Sequence, residues 1–225
     1  MGKETRSKTQ ANGYAELHCH SWFSLLDGAS SPVALATHAT EIGLRAVALT
    51  DHNSLAGAVQ FSQAANALQL PVIFGAEITL EPWAGETDES HLTLLAETQQ
   101  GYANLCQIIT ASRLDHLPAL PETYNPLVTA SDWPGKIAPR LAWEKLGEHG
   151  EGIIALTGCR HGAVASALLA RRPGAAEPAL HRLLECFGSD HLFVELQHHH
   201  QPQDDRLVRQ LCGLAQTRNL PVVAT

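Results

Sequence analysis

The sequence predicts an α/β fold in which seven strands alternate with helices, and three observations carry that prediction. Short apolar runs rich in Val, Ile and Leu, bounded by turn residues, alternate with longer stretches whose apolar residues recur at helical spacing. A length of 225 residues at 44% hydrophobic content supports one sizeable core without a forced split. His, Asp, Glu and Cys recur at strand ends, the edge on which βα folds build their sites. Such a pattern leaves two architectures, an open doubly wound sheet or a closed βα barrel. The doubly wound fold expects a Gly-rich phosphate loop after the first strand, whereas Ser-Trp-Phe-Ser-Leu-Leu-Asp-Gly follows His20.

In chain order, residues 1–13 read as a disordered tail and 14–225 as one domain. Strands are expected over 14–20, 46–52, 71–80, 91–97, 152–158, 191–197 and 221–225, all parallel. The first helix has Ser31 as N-cap, Pro32 in its first position and a stop near Gly43. A second, over 54–69, presents Leu55, Ala58, Val59 and Leu68 to the sheet; others cover about 102–113, 161–171, 178–187 and 204–218. The stretch 115–150, with five prolines and no sustained period, reads as a long irregular excursion with one short helix near 141–146.

Composition removes several function classes. A net charge of -8 with no block of Lys or Arg argues against a domain that holds nucleic acid by neutralising many phosphates. The apolar runs are too short to cross a bilayer and the N-terminus lacks an apolar signal core, so the chain is expected in the cytoplasm with no membrane partner. Five cysteines without CxxC spacing do not read as a disulfide framework or a zinc ribbon.

Histidine is the unusual residue, at 13 copies against 15 Lys plus Arg. The first strand ends His18-Cys19-His20, and strand alternation puts both imidazoles on one face with Cys19 on the other. Asp27 follows on the next loop, the second strand ends Asp51-His52, the third carries Glu77, the fourth begins at His91 and the fifth runs into Cys159. Singly, each has a bland explanation: a satisfied strand-end histidine, a helix cap, a solvated carboxylate, a packed thiol. Jointly they point to metal, because packing disfavours ionisable groups without partners. His38, His116, His149, His161, His181 and His191, and the run His198 to His200, carry no assigned chemistry.

The blocks "YAELHCHSWFSLLDGASSP", "ALTDHNSLAGAVQF", "LPVIFGAEITL", "HLTLLAETQQGYANLCQIITASR", "ALTGCRHGAV", "LFVELQHH" and "LPVVAT" together resemble the N-terminal PHP (polymerase and histidinol phosphatase) domain of bacterial C-family DNA polymerases. The "HCHS", "LDGAS" and "FGAE" details are most similar to the error-prone, damage-associated branch. The resemblance implies a distorted seven-stranded βα barrel and up to three divalent metals on His18, His20, Asp27, His52, Glu77, His91 and Cys159. It implies that Asp51 serves catalysis by orienting His52, and that the chemistry is phosphoester hydrolysis. The mixed imidazole and carboxylate donors suit Zn or Mn, with Mg a third option. In the family the last strand runs on into an Asn or Asp and then a His, so the final strand and metal shell are expected to be cut short at Thr225. Two roles follow, a 3′-5′ exonuclease or a structural brace, in either case without polymerase activity in this chain alone. The expected partners are the remainder of a polymerase chain or assembly, with DNA held by other domains. The competing function is a stand-alone phosphatase for a small phosphomonoester such as histidinol phosphate.

Overall fold

A computed structural model describes residues 13–82, 88–115 and 138–225. The expected N-terminal tail, apart from Gly13, and most of the 115–150 excursion lie outside these residues. The elements run β1 (Ala15–Glu16), α1 (Pro32–Glu41), β2 (Ala46–Leu49), α2 (Ala58–Leu68), β3 (Val72–Leu80), β4 (Ser90–Ala96), α3 (Gln99–Leu114), α4 (Trp143–Glu148), β5 (Ile153–Leu156), α5 (Ala163–Leu169), α6 (Pro173–Phe187), β6 (Leu192–Leu196), α7 (Asp204–Arg218) and β7 (Val222–Ala224).

All seven expected strands form, in one curled sheet ordered β1 to β7. Their direction differs from the expectation in one place. β1, β2 and β3 are parallel, as are β5, β6 and β7, but β4 is antiparallel to both β3 and β5. Only residues 81–89 separate β3 from β4, fewer than the dozen or so that a parallel crossover needs. The reversal has a functional consequence. The start of β4, not its end, lies at the carboxyl edge of the other strands, and His91 is its second residue.

Alternation divides the sheet's two faces. Outward residues such as Ala76, Ile78, Leu80, Leu92 and Leu94 join the main core beneath α3 to α7. Val47 and Leu49 of β2 pack under α1 and α2 around the fully buried Phe61. A third cluster fills one end of the curl: Ala48, Leu95 and Leu156 with Leu17, Ile73, Ile154, Phe193 and Val223. The other end holds the polar residues.

Local signals explain most boundaries. Ser31 Oγ accepts from the Ala34 amide at 3.0 Å, and Pro32 opens α1 as expected. Gly43, at φ +73°, ends it with its amide on the Thr40 carbonyl and that of Leu44 on Ala39. The helix expected over 54–69 begins later, at Ala58. Asn53 exchanges two hydrogen bonds with Thr79 (2.9 and 3.0 Å) and its carbonyl accepts from Arg113 at 2.8 Å, which holds the chain out of helix beyond His52. Expected to start at 178, α6 starts at Pro173 and carries Pro178 inside. Pro173 has the φ that a first helical position needs, so the earlier proline opens the helix.

The start of α3 is pinned to the turn before β5. Thr98 Oγ1 caps the Gly101 amide, and the Glu97 amide donates to the Gly152 carbonyl at 2.9 Å. A methyl group on Gly101 would lie 1.7 Å from the Gly152 oxygen. Gly101→Ala is therefore expected to lose about 1–3 kcal/mol by overpacking, seen as a Tm lower by roughly 2–12 °C. Gly213 in α7 has open space where its methyl would go. Gly213→Ala is expected to raise stability by about 0.5–1 kcal/mol, and equal Tm values for the two variants would contradict this account.

Candidate metal centre

Glu77 is the hub of the polar end. It points inward from β3, its residue is 1% exposed, and its neighbours come from four other segments. Oε1 lies 3.0 Å from His91 Nδ1, 3.5 Å from His18 Nε2, and accepts from Cys159 Sγ at 3.2 Å. Oε2 lies 3.1 Å from His20 Nε2 and 3.3 Å from His52 Nδ1. The rings of His18 and His20 stand 5.2 Å apart, those of His20 and His52 4.4 Å, and those of His52 and His91 5.1 Å. Cys19 faces away, against the α1–α2 core, although β1 pairs only over Ala15–Glu16 and the strand expected over 14–20 stops short of these residues. Asp27 closes the outer side: its Oδ2 touches His20 Nδ1 and lies 3.3 Å from His52 Nε2. All seven residues expected as metal ligands are thus gathered in one place.

Asp51 is the exception and requires a correction. Its carboxylate does not reach the His52 ring. It accepts from the Ser21 amide (2.7 Å), the Ser21 hydroxyl (2.8 Å) and the Ser24 hydroxyl (2.7 Å), and the residue is 1% exposed. Ser24 Oγ in turn accepts from the His52 amide at 3.0 Å. Asp51 therefore anchors the loop that carries Asp27 and steadies the backbone of His52. The reason is proximity: the chain after β1 folds back over the end of β2, and buried hydroxyls and an amide require an acceptor there.

Sequence reasoning missed Glu195, which lies on β6 within "VELQHH". Its side chain is fully buried and its Oε1 is 2.6 Å from His18 Nδ1. Phe193 fills the apolar floor, and two residues further along the same face Glu195 reaches the polar end; that period was readable, but its direction relative to β1 was not. His161 and His199, which the sequence left without a role, also line the open cavity of about 590 Å³ above the hub, beside Leu25, Leu26 and Gln197.

Burial and charge set the protonation states of the chain alone. Burial lowers the affinity of His18 for a proton, but the Glu195 and Glu77 carboxylates outweigh it and raise the pKa to about 10. Burial pushes Glu77 up, yet His18, His20 and His91 hold its carboxyl far below the usual range. Burial, then Glu77, pushes the Cys159 thiol up. His52 goes the other way, lowered chiefly by burial. A folded-state value raised above the unfolded one, as for His18, stabilises below the ordinary 6.5 and is lost as pH climbs through about 10. The depressed Glu77 stabilises above its ordinary 4.5 and is lost on acidification. The centre's contribution to the stability of chelator-treated protein should therefore peak between pH 4.5 and 6.5. Thermal melts in chelator against pH check this, and a Tm unchanged from pH 6.5 to 10 would contradict it.

The donor set fits divalent metal. Three overlapping trios have donor atoms within 4.8 Å of one another: His18, His20 and Glu77; His20, Asp27 and His52; His52, Glu77 and His91. His20 Nε2 is buried and, although 3.1 Å from a Glu77 oxygen, lacks the alignment of a hydrogen bond. Buried polar atoms are ordinarily paired, so a nitrogen left this way is poised for a ligand. Imidazoles, carboxylates and a thiol together are the donors of Zn- and Mn-type sites rather than of an all-oxygen cage.

The error-prone DNA polymerase of Mycolicibacterium paratuberculosis is 39% identical over 227 residues, covering 99% of this chain. The DNA polymerase III alpha subunit of Treponema pallidum is 31% identical over 221 residues, covering 94%. This chain spans only 19% and 17% of the length of those two relatives. Among solved structures, a protein of Bifidobacterium adolescentis described as a metal-dependent phosphoesterase superposes with a TM-score of 0.61 at 19% identity, over 95% of this chain and 86% of its own. An amidohydrolase of Chromobacterium violaceum superposes at 0.57 and 17% identity, over 93% and 85%. These likenesses show the fold, a curled seven-stranded sheet under helices. The PHP domain family matches residues 16–199, a span that includes the hub and every side chain facing it, and this chain belongs to that family.

Proposed function

We propose that this chain is the PHP domain of an error-prone, damage-associated C-family DNA polymerase, and that its centre uses divalent metal to hydrolyse phosphoesters, removing 3′ nucleotides from DNA. One observation carries the reading: five side chains from four separate segments meet on the buried Glu77 carboxylate. Metal ions held there would supply an activated water and stabilise a departing oxygen. The trios share His20, His52 and Glu77 and so mark one connected cluster, for which the family resemblance implies up to three ions, with Zn or Mn favoured and Mg less suited to the donors.

The chain's own residues do the remaining work. Glu77 and the four imidazoles fix the place of the scissile phosphate, and Asp27 holds His20 and His52 at the mouth. The cavity, at about 590 Å³, admits a terminal nucleotide. His161 and His199, exposed on its rim, are placed to give a proton to a leaving oxygen. No Lys or Arg is found among the described residues of the lining, so DNA would be gripped by the rest of a polymerase chain or assembly, in the cytoplasm. No helix among the described residues is long and apolar enough to cross a membrane.

Metal analysis of purified protein, with hydrolysis of single-stranded DNA measured with and without Mn, tests the proposal. Bound metal and release of mononucleotides from 3′ ends is the expected result; a chain that takes no metal would overturn it. The lack of cationic lining equally favours a second reading, a phosphatase for a small phosphomonoester, and faster turnover of histidinol phosphate than of an oligonucleotide would establish that reading instead. A purely structural brace would show in His18→Ala and His20→Ala variants that lose thermal stability with no change in hydrolysis.

A further inference from the structure

We infer that Glu195 is a positioning residue of the metal centre, fixing the His18 ring so that Nε2 is the atom presented to a metal. This rests on the metal-centre reading above. Glu195 Oε1 lies 2.6 Å from His18 Nδ1. Thr93 Oγ1 (3.2 Å) and Gln197 Nε2 (3.3 Å) also face that nitrogen, but Glu195 is the nearest group and, among the described residues, the carboxylate there. The same oxygen accepts from Thr225 Oγ1 at 2.7 Å and Gln197 Nε2 at 3.0 Å, so with His18 three groups hold the carboxylate, while the Glu195 amide donates to Thr157 Oγ1 at 3.0 Å and fixes the backbone behind it.

On the far side of the ring, His18 Nε2 stands 3.5 Å from Glu77 Oε1 and 3.5 Å from Thr93 Oγ1. That separation is at the limit of a hydrogen bond, whereas Nδ1 is firmly bonded. The ring is therefore engaged at Nδ1 and available at Nε2, inside one of the trios of potential ligands. A carboxylate behind a ligating imidazole sets its tautomer and orientation and makes it a more basic donor.

Packing alone does not account for a glutamate here. Its side chain is 0% exposed, and Oε2 is buried with no hydrogen-bond partner among the described residues. An isolated buried carboxylate oxygen is costly, and a glutamine would keep the shape and the bond to Nδ1–H without the charge. The contact also crosses from β6 to the chain beyond β1, two strands that are not neighbours in the sheet. A role confined to closing this seam is the competing account, and the experiment separates the two.

Glu195→Gln and Thr225→Val are compared with the wild-type 225-residue chain for Zn affinity by competition with a chromophoric chelator, for thermal stability without metal, and for the low-field Nδ1 proton of His18 by NMR with Zn bound. Glu195→Gln is expected to weaken the binding of one Zn by about 10- to 100-fold and to move the Nδ1 proton. Thr225→Val, which leaves the charge in place, is expected to lose less affinity and keep the signal. If both variants melt earlier yet bind Zn as the wild type does, the residue only closes the seam and the inference is overturned. Zn binding by the wild type with no change in Glu195→Gln also overturns it while leaving the metal centre standing. A wild-type chain that takes no Zn removes the centre and this inference together.

Discussion

Replacing Glu77 by alanine is expected to lower the Tm of the metal-free protein by roughly 6–20 °C and to leave metal only at the outer trio. The stability loss follows from burial. Glu77 is 1% exposed and faces His18, His20, His52 and His91. Removing one partner of a buried charge cluster costs about 3–5 kcal/mol, because the remaining charges stay buried and unpaired, and each kcal/mol moves Tm by about 2–4 °C at this size. The metal loss follows from geometry. Two of the three trios contain Glu77, while His20, Asp27 and His52 do not need it. Elemental analysis after metal loading and dialysis reads the second effect, and calorimetry the first. Glu77→Gln keeps the volume and isolates the charge; metal content equal to wild type in both variants would show that the cluster is not a metal centre.

Asp51→Ala should have the complementary pattern. Its loss leaves the Ser21 amide and the Ser21 and Ser24 hydroxyls without their acceptor in a buried place. Hydrogen bonds to charged groups contribute about 1.5–3 kcal/mol each, with incomplete additivity, so a loss on the order of 4 kcal/mol, or roughly 8–16 °C in Tm, is expected. The loop from Ser21 to Asp27 then loses its anchor, and the trio that depends on Asp27 should lose metal while the two built on Glu77 keep theirs. If Asp51 instead served catalysis by orienting His52, turnover would fall with Tm and metal content unchanged. That outcome would restore the role expected from the sequence.

Much of this was legible in the amino acids. Seven apolar runs gave seven strands, because buried strands need Val, Ile and Leu along their length, and Ser31-Pro32 marked the start of α1 because an N-cap hydroxyl and a fixed φ are local properties. The His18-Cys19-His20 spacing marked two imidazoles for one side of the chain, and both reach Glu77 although they lie just past the paired residues of β1. The less readable features all depend on contacts between distant segments. The reversal of β4 follows from a gap too short for a crossover once the strand ends are fixed by pairing, and Glu195 looked like any inward strand residue until the sheet curled.

Composition and spacing alone thus determined the class of fold, the strand count and the candidate ligands, since each is encoded within a few residues of itself. Tertiary structure decided which of those side chains meet. It made Glu77 the hub, turned Asp51 from the His52 ring to Ser21 and Ser24, put His91 at the carboxyl edge of the other strands by running its strand backwards, and set Glu195 against His18 across 177 residues of chain. The physical reason is that a buried charge is tolerated only beside its partner, and where a partner 177 residues away comes to lie is settled by how the sheet curls.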